Sequence, residues 1–386
     1  MVSGLFLAGH LKPRKHWVMY ILLLFIPAAL ISELTHSDYY VTFVFACIAL
    51  VPLAKMIGDS TEHLGLHFGA TAGALLNVTF GNAPELIIAT SAMNAGLFTL
   101  VKASITGSIL GNILLILGLS LIAGGFKYKE QTFNKENTGM QTSMLFIAII
   151  GLIIPTILSA TSLNSITDVG SNGQKIQVLS ESVAFILLAV YIAGIIFTFV
   201  THKHLFTQNN EVVELEIQGR NPKGSSTKNQ QSTMWSKKKC FIILFFSILG
   251  VVITSEILVG TVSIAAKEFG FGEVFIGAII VGIIGNAAEH GSALILATKN
   301  KLDLSIGIAS GSGTQVALFV APILVIIGMI SHHPFTLVFT TFELISLLLA
   351  VIILNWIAHD GKSNWFEGVM LTCVFIIIAI GFYFVG

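Results

Sequence analysis

The residues of this 386-residue chain best suited to chemistry are two glutamates embedded in long apolar stretches. Glu85 closes the run GNAPE at 81–85 and Glu289 closes GNAAE at 285–289, so each carboxylate follows an asparagine, Asn82 or Asn286, by three positions. An ionised carboxylate costs about 2.5 to 3.5 kcal/mol at the centre of a membrane-spanning helix even on the lenient insertion scale, so a pair of them requires a reason. Neither apolar segment contains a lysine or arginine that would neutralise its glutamate. The glycine opening each motif permits a helix break, which turns backbone carbonyls towards a cavity, while asparagine and glutamate at i and i+3 project from one face. Two carboxylates, two amide oxygens, freed carbonyls and nearby hydroxyls form an all-oxygen, negatively charged ligand set. It suits a hard divalent cation with about six to eight oxygen ligands, Ca²⁺ in particular, better than Zn²⁺ or Cu²⁺, for which no Cys or His cluster is present.

Supporting polar groups follow each motif. Ser104, Ser108 and Asn112 recur at i, i+4 and i+8, one stripe of a helix, and the second half offers Ser310, Ser312, Thr314 and Gln315. Hydroxyls in spanning helices often bond only to their own backbone, so the matching of the two stripes carries more weight than any single member. Two carboxylates sharing a low-dielectric site repel each other, and without a metal the repulsion is relieved by taking up a proton. Metal and proton then compete for the same oxygens, and competition at one alternately exposed site is antiport. Glu256 and Glu343 also fall inside expected spans and are expected along a proton pathway. Asp59, Glu62 and His63 fall at a helix end, where charge is ordinarily solvated; a cation funnel is the sharper reading. His332 and His333 read as loop residues beside Pro334.

The elements that must position these groups are membrane helices. The chain is 54% hydrophobic and 10% charged, against about 25% charged in soluble domains, with a mean hydropathy of +0.88. Twenty basic and twenty acidic residues cancel, which gives no reason to expect nucleic acid. Cys47, Cys240 and Cys373 lie far apart in apolar sequence and read as small hydrophobes, so neither a disulfide nor a resident cofactor is expected. Polar punctuation cuts the chain into about eleven spans, near 17–32, 39–57, 66–93, 97–124, 141–160, 177–200, 240–266, 273–298, 302–330, 334–357 and 365–385. The first is short and follows Lys12, Arg14 and Lys15, so a cleaved signal peptide is its alternative reading.

With the N-terminus in the cytoplasm, seventeen of the 20 basic residues fall inside, Lys175 and Lys267 outside, and Lys102 near a helix end. That asymmetry predicts N-terminus in and C-terminus out. The hydrophilic stretch 202–239, with Glu211, Glu214 and Glu216, then reads as a cytoplasmic linker carrying a short acidic segment. Residues 73–124 overlay 277–328 at a constant offset of 204 without a gap: Gly73 meets Gly277, GNAPE meets GNAAE, Gly107 meets Gly311, and Ser108 meets Ser312. Five spans per half, an odd number, turn the second copy upside down, as in secondary transporters that hold substrate near the midplane. The expected architecture is therefore an all-α polytopic membrane protein: an N-terminal helix in 1–36, a first five-helix repeat in 37–201, the linker 202–239, and a second, inverted five-helix repeat in 240–386.

The motifs GALLNVTFGNAPELIIA (73–89), TGSILGN (106–112), SEILVG (255–260) and the long run 281–322 resemble the Ca²⁺/H⁺ antiporter (CAX) family of the cation/Ca²⁺ exchanger superfamily, from about residue 40 to the C-terminus. The resemblance implies eleven spans, cation binding by Glu85 and Glu289 with Asn82 and Asn286, and pathway or supporting roles for Ser108, Asn112, Ser312 and Gln315, with His290 following the second motif. Gly282 stands where that family commonly has proline, and Gly313 replaces a frequent serine, which leaves the helix geometry there open. The expected function is secondary active exchange of Ca²⁺, or other divalent cations, for H⁺ in a plasma membrane, with the lipid bilayer and further copies of the chain as partners. A Na⁺-coupled Ca²⁺ exchanger is the nearest alternative. A membrane-embedded hydrolase or a channel is more distant, because a nucleophile and phosphate-binding arginines are missing and inverted repeats favour alternating access.

Overall fold

The computed structural model describes Met19 and residues 21–162, 169–202, 235–331 and 333–385. Lys12, Arg14, Lys15, Lys203, Arg220, Lys223, Lys228, the linker acids Glu211, Glu214 and Glu216, and His332 lie outside the described residues. In chain order the helices are α1 (Phe25–Leu34), α2 (Tyr39–Phe68), α3 (Ala70–Gly81), α4 (Ala83–Asn94), α5 (Phe98–Gly125), α6 (Lys135–Ser162), α7 (Val169–Ile196), α8 (Lys237–Phe269), α9 (Glu273–Gly285), α10 (Ala287–Thr298), α11 (Leu302–Ile330), α12 (Thr341–Ile357) and α13 (Trp365–Val385). Seven of them are long and apolar enough to cross a bilayer, and α9 with α10 forms an eighth candidate span bent by 63°. The chain is thus an all-α polytopic membrane protein apart from one short ribbon, β1 (Gln131–Thr132) paired antiparallel with β2 (Lys362–Ser363). The ribbon was not legible in the sequence, since two residues per strand carry no periodicity. Lys362 reaches Glu130 at 2.9 Å beside it, and that carboxylate holds the exposed ammonium above the ordinary lysine range.

Burial divides the helices into two classes. In the most apolar window of α5, 83% of residues are buried inside the protein, against 22% for the span Gly173–Thr201 that begins in α7. Helix α5 therefore belongs to the core, while α6 and α7 form the rim. Large apolar side chains are exposed on the rim, such as Ile147, Ile150, Ile154 and Ile157 on α6, and also on one side of α8 at Phe241, Phe245 and Phe246. Such a belt would be unfavourable against water and is what a hydrocarbon solvent accepts.

Several boundaries shift from those predicted, and two of the shifts have a clear physical origin. Helix α2 continues to Phe68 rather than ending near 57, because the polar run around Asp59 and Glu62 extends the same helix; the chain turns only at Gly69, whose φ of +91° suits glycine. The span expected to begin at 334 starts at Thr341 instead. Residues 333–340 are not helical, and Phe335, Leu337 and Phe339 are buried in alternation. Ser180 and Thr156 accept the amides of Leu337 and Phe339. Thr340 and Glu343 then open α12 as a reciprocal capping box.

The duplication persists in the backbone. At the offset of 204, α4 maps residue for residue onto α10, and the starts of α5 and α11 coincide. Each of these long helices contains a π turn at the matching place, Gly111–Ile116 and Val316–Val320, and resumes α geometry at Leu117 and Ala321.

Candidate functional site

Both glutamates sit just beyond a helix break. Asn82 has φ −91° and ψ 11°, and Asn286 has φ −95° and ψ 10°, in the sparsely populated bridge region that ends α3 and α9 before α4 and α10 begin. Pro84 lies in the first turn of α4, but Ala288 takes its place in α10 and the break is unchanged, so proline is not its cause. Each asparagine instead turns its amide back onto the carbonyl four residues earlier, Asn82 Nδ2 to Val78 O and Asn286 Nδ2 to Gly282 O, both at 3.1 Å. The side-chain donor satisfies a carbonyl that the interrupted ladder leaves open. The break also survives glycine at 282, and at Gly313 a Cβ would stand 3.1 Å from the Ile113 Cγ2, so a larger residue there would crowd α5.

Glu85 and Glu289 fall in the first turns of α4 and α10, where unpaired amides favour a carboxylate. They face each other crosswise. Glu85 lies against Gly285 of the second break, and Glu289 against Gly81 of the first. The Oε2 atoms of both are enclosed and lack a hydrogen-bond partner within the protein. Enclosed, unpaired carboxylate oxygens are costly unless a cation or proton satisfies them. Among the described residues no third Asp, Glu, His or Cys joins them, so the ligand set is two carboxylates with neutral oxygens around them.

The neutral groups are divided unevenly. Asn82 donates to Gln315 Oε1 at 2.6 Å. Asn286 Oδ1 accepts from Ser312 Oγ at 2.9 Å and from Asn112 Nδ2 at 3.2 Å, and Asn112 also donates to Ser312 at 3.0 Å. His290 Nε2 pairs with Asn112 Oδ1 at 3.1 Å, which joins four buried polar side chains into one network. Ser104 bonds to Val101 O, and Ser108 reaches across to Gly282 O at 3.3 Å; both flank Glu85. Glu256 is the one site candidate set apart: exposed on α8, it accepts from Ser91 at 2.7 Å and lies away from the carboxylate pair. Glu343 is buried, with one oxygen occupied by the amide and hydroxyl of Thr340.

Access to the two glutamates differs. Glu289 opens onto a cavity of about 820 Å³, whose walls include Asp59, Glu62, Asn77, Gln141, Asp303 and Gln315. Glu85 borders a cavity of only about 10 Å³, room for roughly one water, closed by Ile88, Ile105, Val281 and Val316. Asn77, Gln141 and Asp303 were not singled out from the sequence. The signal for Asn77 was an amide one helical turn before Gly81 in an apolar run; Asp303 sits in the first turn of α11 and Gln141 in the second turn of α6, near helix ends where polar residues are common.

A family model described as sodium/calcium exchanger protein matches residues 39–200 and 239–384. Among known proteins, the chain is 41% identical over 373 residues to a Ca²⁺/H⁺ antiporter of Aphanothece halophytica, covering 96% of this chain and 97% of that one. It is 40% identical over 362 residues to the Ca²⁺/H⁺ antiporter ChaA of Bacillus subtilis, covering 93% and 96% respectively. The chain belongs to the Ca²⁺/H⁺ antiporter family of the cation/Ca²⁺ exchanger superfamily. The solved structure of native YfkE is 37% identical, covers 95% of this antiporter-family chain and 99% of its own, and superposes with a TM-score of 0.77. A crystal structure of the H⁺/Ca²⁺ exchanger CAX, at 14% identity and a TM-score of 0.65, shares the fold. In this chain GNAPE and GNAAE coincide with the α3–α4 and α9–α10 junctions.

Proposed function

We propose that this chain exchanges Ca²⁺ for H⁺ by alternating access at a single midplane site formed by Glu85, Glu289, Asn82 and Asn286. The observation that carries the reading is the pair of crosswise carboxylates, each with an enclosed, unpartnered oxygen, one of them open to a large cavity and the other sealed. Ca²⁺ satisfies both carboxylates at once. When it leaves, protons relieve the repulsion between them, so the two cargoes replace each other and are not carried together. Ser104, Ser108, Asn112, His290, Ser312 and Gln315 hold the asparagines and line the route; Glu256 is assigned to the proton pathway through its bond to Ser91. The Ca²⁺/H⁺ antiporter relatives support the choice of cargo.

The topology that places the N-terminus in the cytoplasm puts the open cavity, with Asp59, Glu62 and Asp303, on the cytoplasmic side, so the described conformation faces inward. α1, the α3–α4 pair and α12 complete eleven spans in this reading, with residues 37–201 and 240–386 as inverted repeats in a plasma membrane. The chain is a transporter and not an enzyme. Purified protein in liposomes should accumulate ⁴⁵Ca when a pH gradient is imposed in sodium-free medium. Uptake that requires a sodium gradient would return the assignment to Na⁺ coupling, and uptake without either gradient to a passive pore.

A further inference from the structure

The repeat relates two wall positions that differ in state. Ser310 on α11 bonds to Gln141 in the N-terminal part of α6, and Gln141 lines the open cavity. At the offset of 204, Ser310 corresponds to Thr106 on α5. Thr106 faces Glu343 in the first turn of α12, the helix that follows α11 as α6 follows α5. The α5 group is sealed: Thr106 is fully buried and Glu343 is 2% exposed. Lys102, one turn earlier on α5, faces the same carboxylate.

The seal has an identifiable origin in the adjacent glycine. Gly107 packs against the backbone of Ala278, and a Cβ on Gly282 would stand 2.7 Å from the Gly107 carbonyl carbon and the Ser108 amide nitrogen, so α5 and α9 meet backbone to backbone. Gly311, the counterpart of Gly107, borders the open cavity, and a Cβ there would meet nothing nearer than Gln141 Oε1 at 3.7 Å. One glycine contact is closed while its counterpart is open.

We infer that Glu343 is the outward counterpart of Gln141: when α5 parts from α9 at Gly107, Thr106 and Glu343 become the wall of an outward vestibule through which the divalent cation leaves Glu85. This rests on the alternating-access reading above. The vestibules then differ at this one wall position, although the inner one also carries Asp59, Glu62 and Asp303. The inner wall presents a neutral amide at this place, whereas the outer wall presents a carboxylate that attracts a departing cation, with Lys102 beside it to limit how long the cation stays.

The test uses the full-length protein with Cys47, Cys240 and Cys373 replaced by alanine, carrying Thr106→Cys or Ser310→Cys. Neither residue is a partner in the Thr340–Glu343 cap. A membrane-impermeant thiosulfonate applied from one side of the membrane at a time, with and without Ca²⁺, should label Thr106→Cys from outside only and Ser310→Cys from the cytoplasm only, and conditions that raise one should lower the other. If Ser310→Cys is labelled and transport is intact while Thr106→Cys stays unlabelled from both sides, the outward role falls and alternating access stands. Simultaneous, ion-independent labelling of both overturns alternation itself. Glu343→Gln, which keeps the capping acceptor, should lower the transport rate several-fold without changing Ser310→Cys labelling; an unchanged rate removes Glu343 from the pathway.

Discussion

Gly285 lies beneath the Glu85 carboxylate, where a Cβ would stand 3.2 Å from both Cγ and Oε1 of the glutamate. The mirrored contact, Gly81 beneath Glu289, is looser at 3.7 Å to Oε1. The glycine of the second motif therefore does more than permit a helix break, since it makes room for the Glu85 carboxylate, whereas at Gly81 a Cβ would meet Glu289 at ordinary contact distance. Gly285→Ala should raise the Ca²⁺ concentration needed for half-maximal ⁴⁵Ca uptake more than Gly81→Ala does. Equal effects would indicate that backbone freedom, and not space, is what these positions supply.

Removing the charge of either glutamate should stop exchange. Glu85→Gln and Glu289→Gln keep the side-chain volume and take away the site's anionic character, so pH-driven ⁴⁵Ca uptake into everted vesicles should be abolished in both. Full transport by either variant would falsify the two-carboxylate site.

Competition fixes the sign of the pH dependence. In the proposed site protons and Ca²⁺ contend for the same enclosed oxygens, so acidifying the side that presents Ca²⁺ should raise the half-saturating Ca²⁺ concentration and leave the maximal rate at saturating Ca²⁺ the lesser change. Uptake kinetics at a series of pH values on that side separate this from a general loss of activity, in which the maximal rate alone would fall.

The 2.6 Å bond from Asn82 to Gln315 holds the amide of one repeat on the long helix of the other. Gln315→Leu should leave that amide without its partner at a cost of about 1 to 3 kcal/mol, and should weaken Ca²⁺ uptake by roughly the corresponding tenfold to hundredfold. Gln315→Glu retains an acceptor and should restore part of it.

Asn112 connects Ser312, Asn286 and His290 in a fully buried network. Asn112→Leu strands several buried polar groups at once and should lower the detergent-solubilised melting temperature, whereas Ser104→Ala, which removes a bond to its own helix, should leave it nearly unchanged.

The sequence by itself determined the membrane class, the duplication and the paired motifs, because each rests on local composition or on identity at one offset. Glu85, Asn82, Glu289 and Asn286 were legible for the same reason: a carboxylate in an apolar run is costly wherever the run ends up. Even the boundaries of α4 and α10 follow the offset. It was less informative where polar residues extend a helix beyond the apolar zone, as at Asp59 in α2, or where an apolar run is not helical, as at Phe335, Leu337 and Phe339.

Only the tertiary structure decided which groups meet. Gln315 has glycine at its counterpart, Gly111, so its bond to Asn82 has no image in the other repeat and could not be inferred from symmetry. Likewise a sequence repeated at one offset specifies two equivalent glycines, Gly107 and Gly311, yet the fold closes one against Ala278 and leaves the other facing a cavity. In the proposed exchange cycle two like segments cannot both stand open around one site, so identical sequence must take up unlike packing. That asymmetry belongs to the conformation, and no single-residue pattern records it.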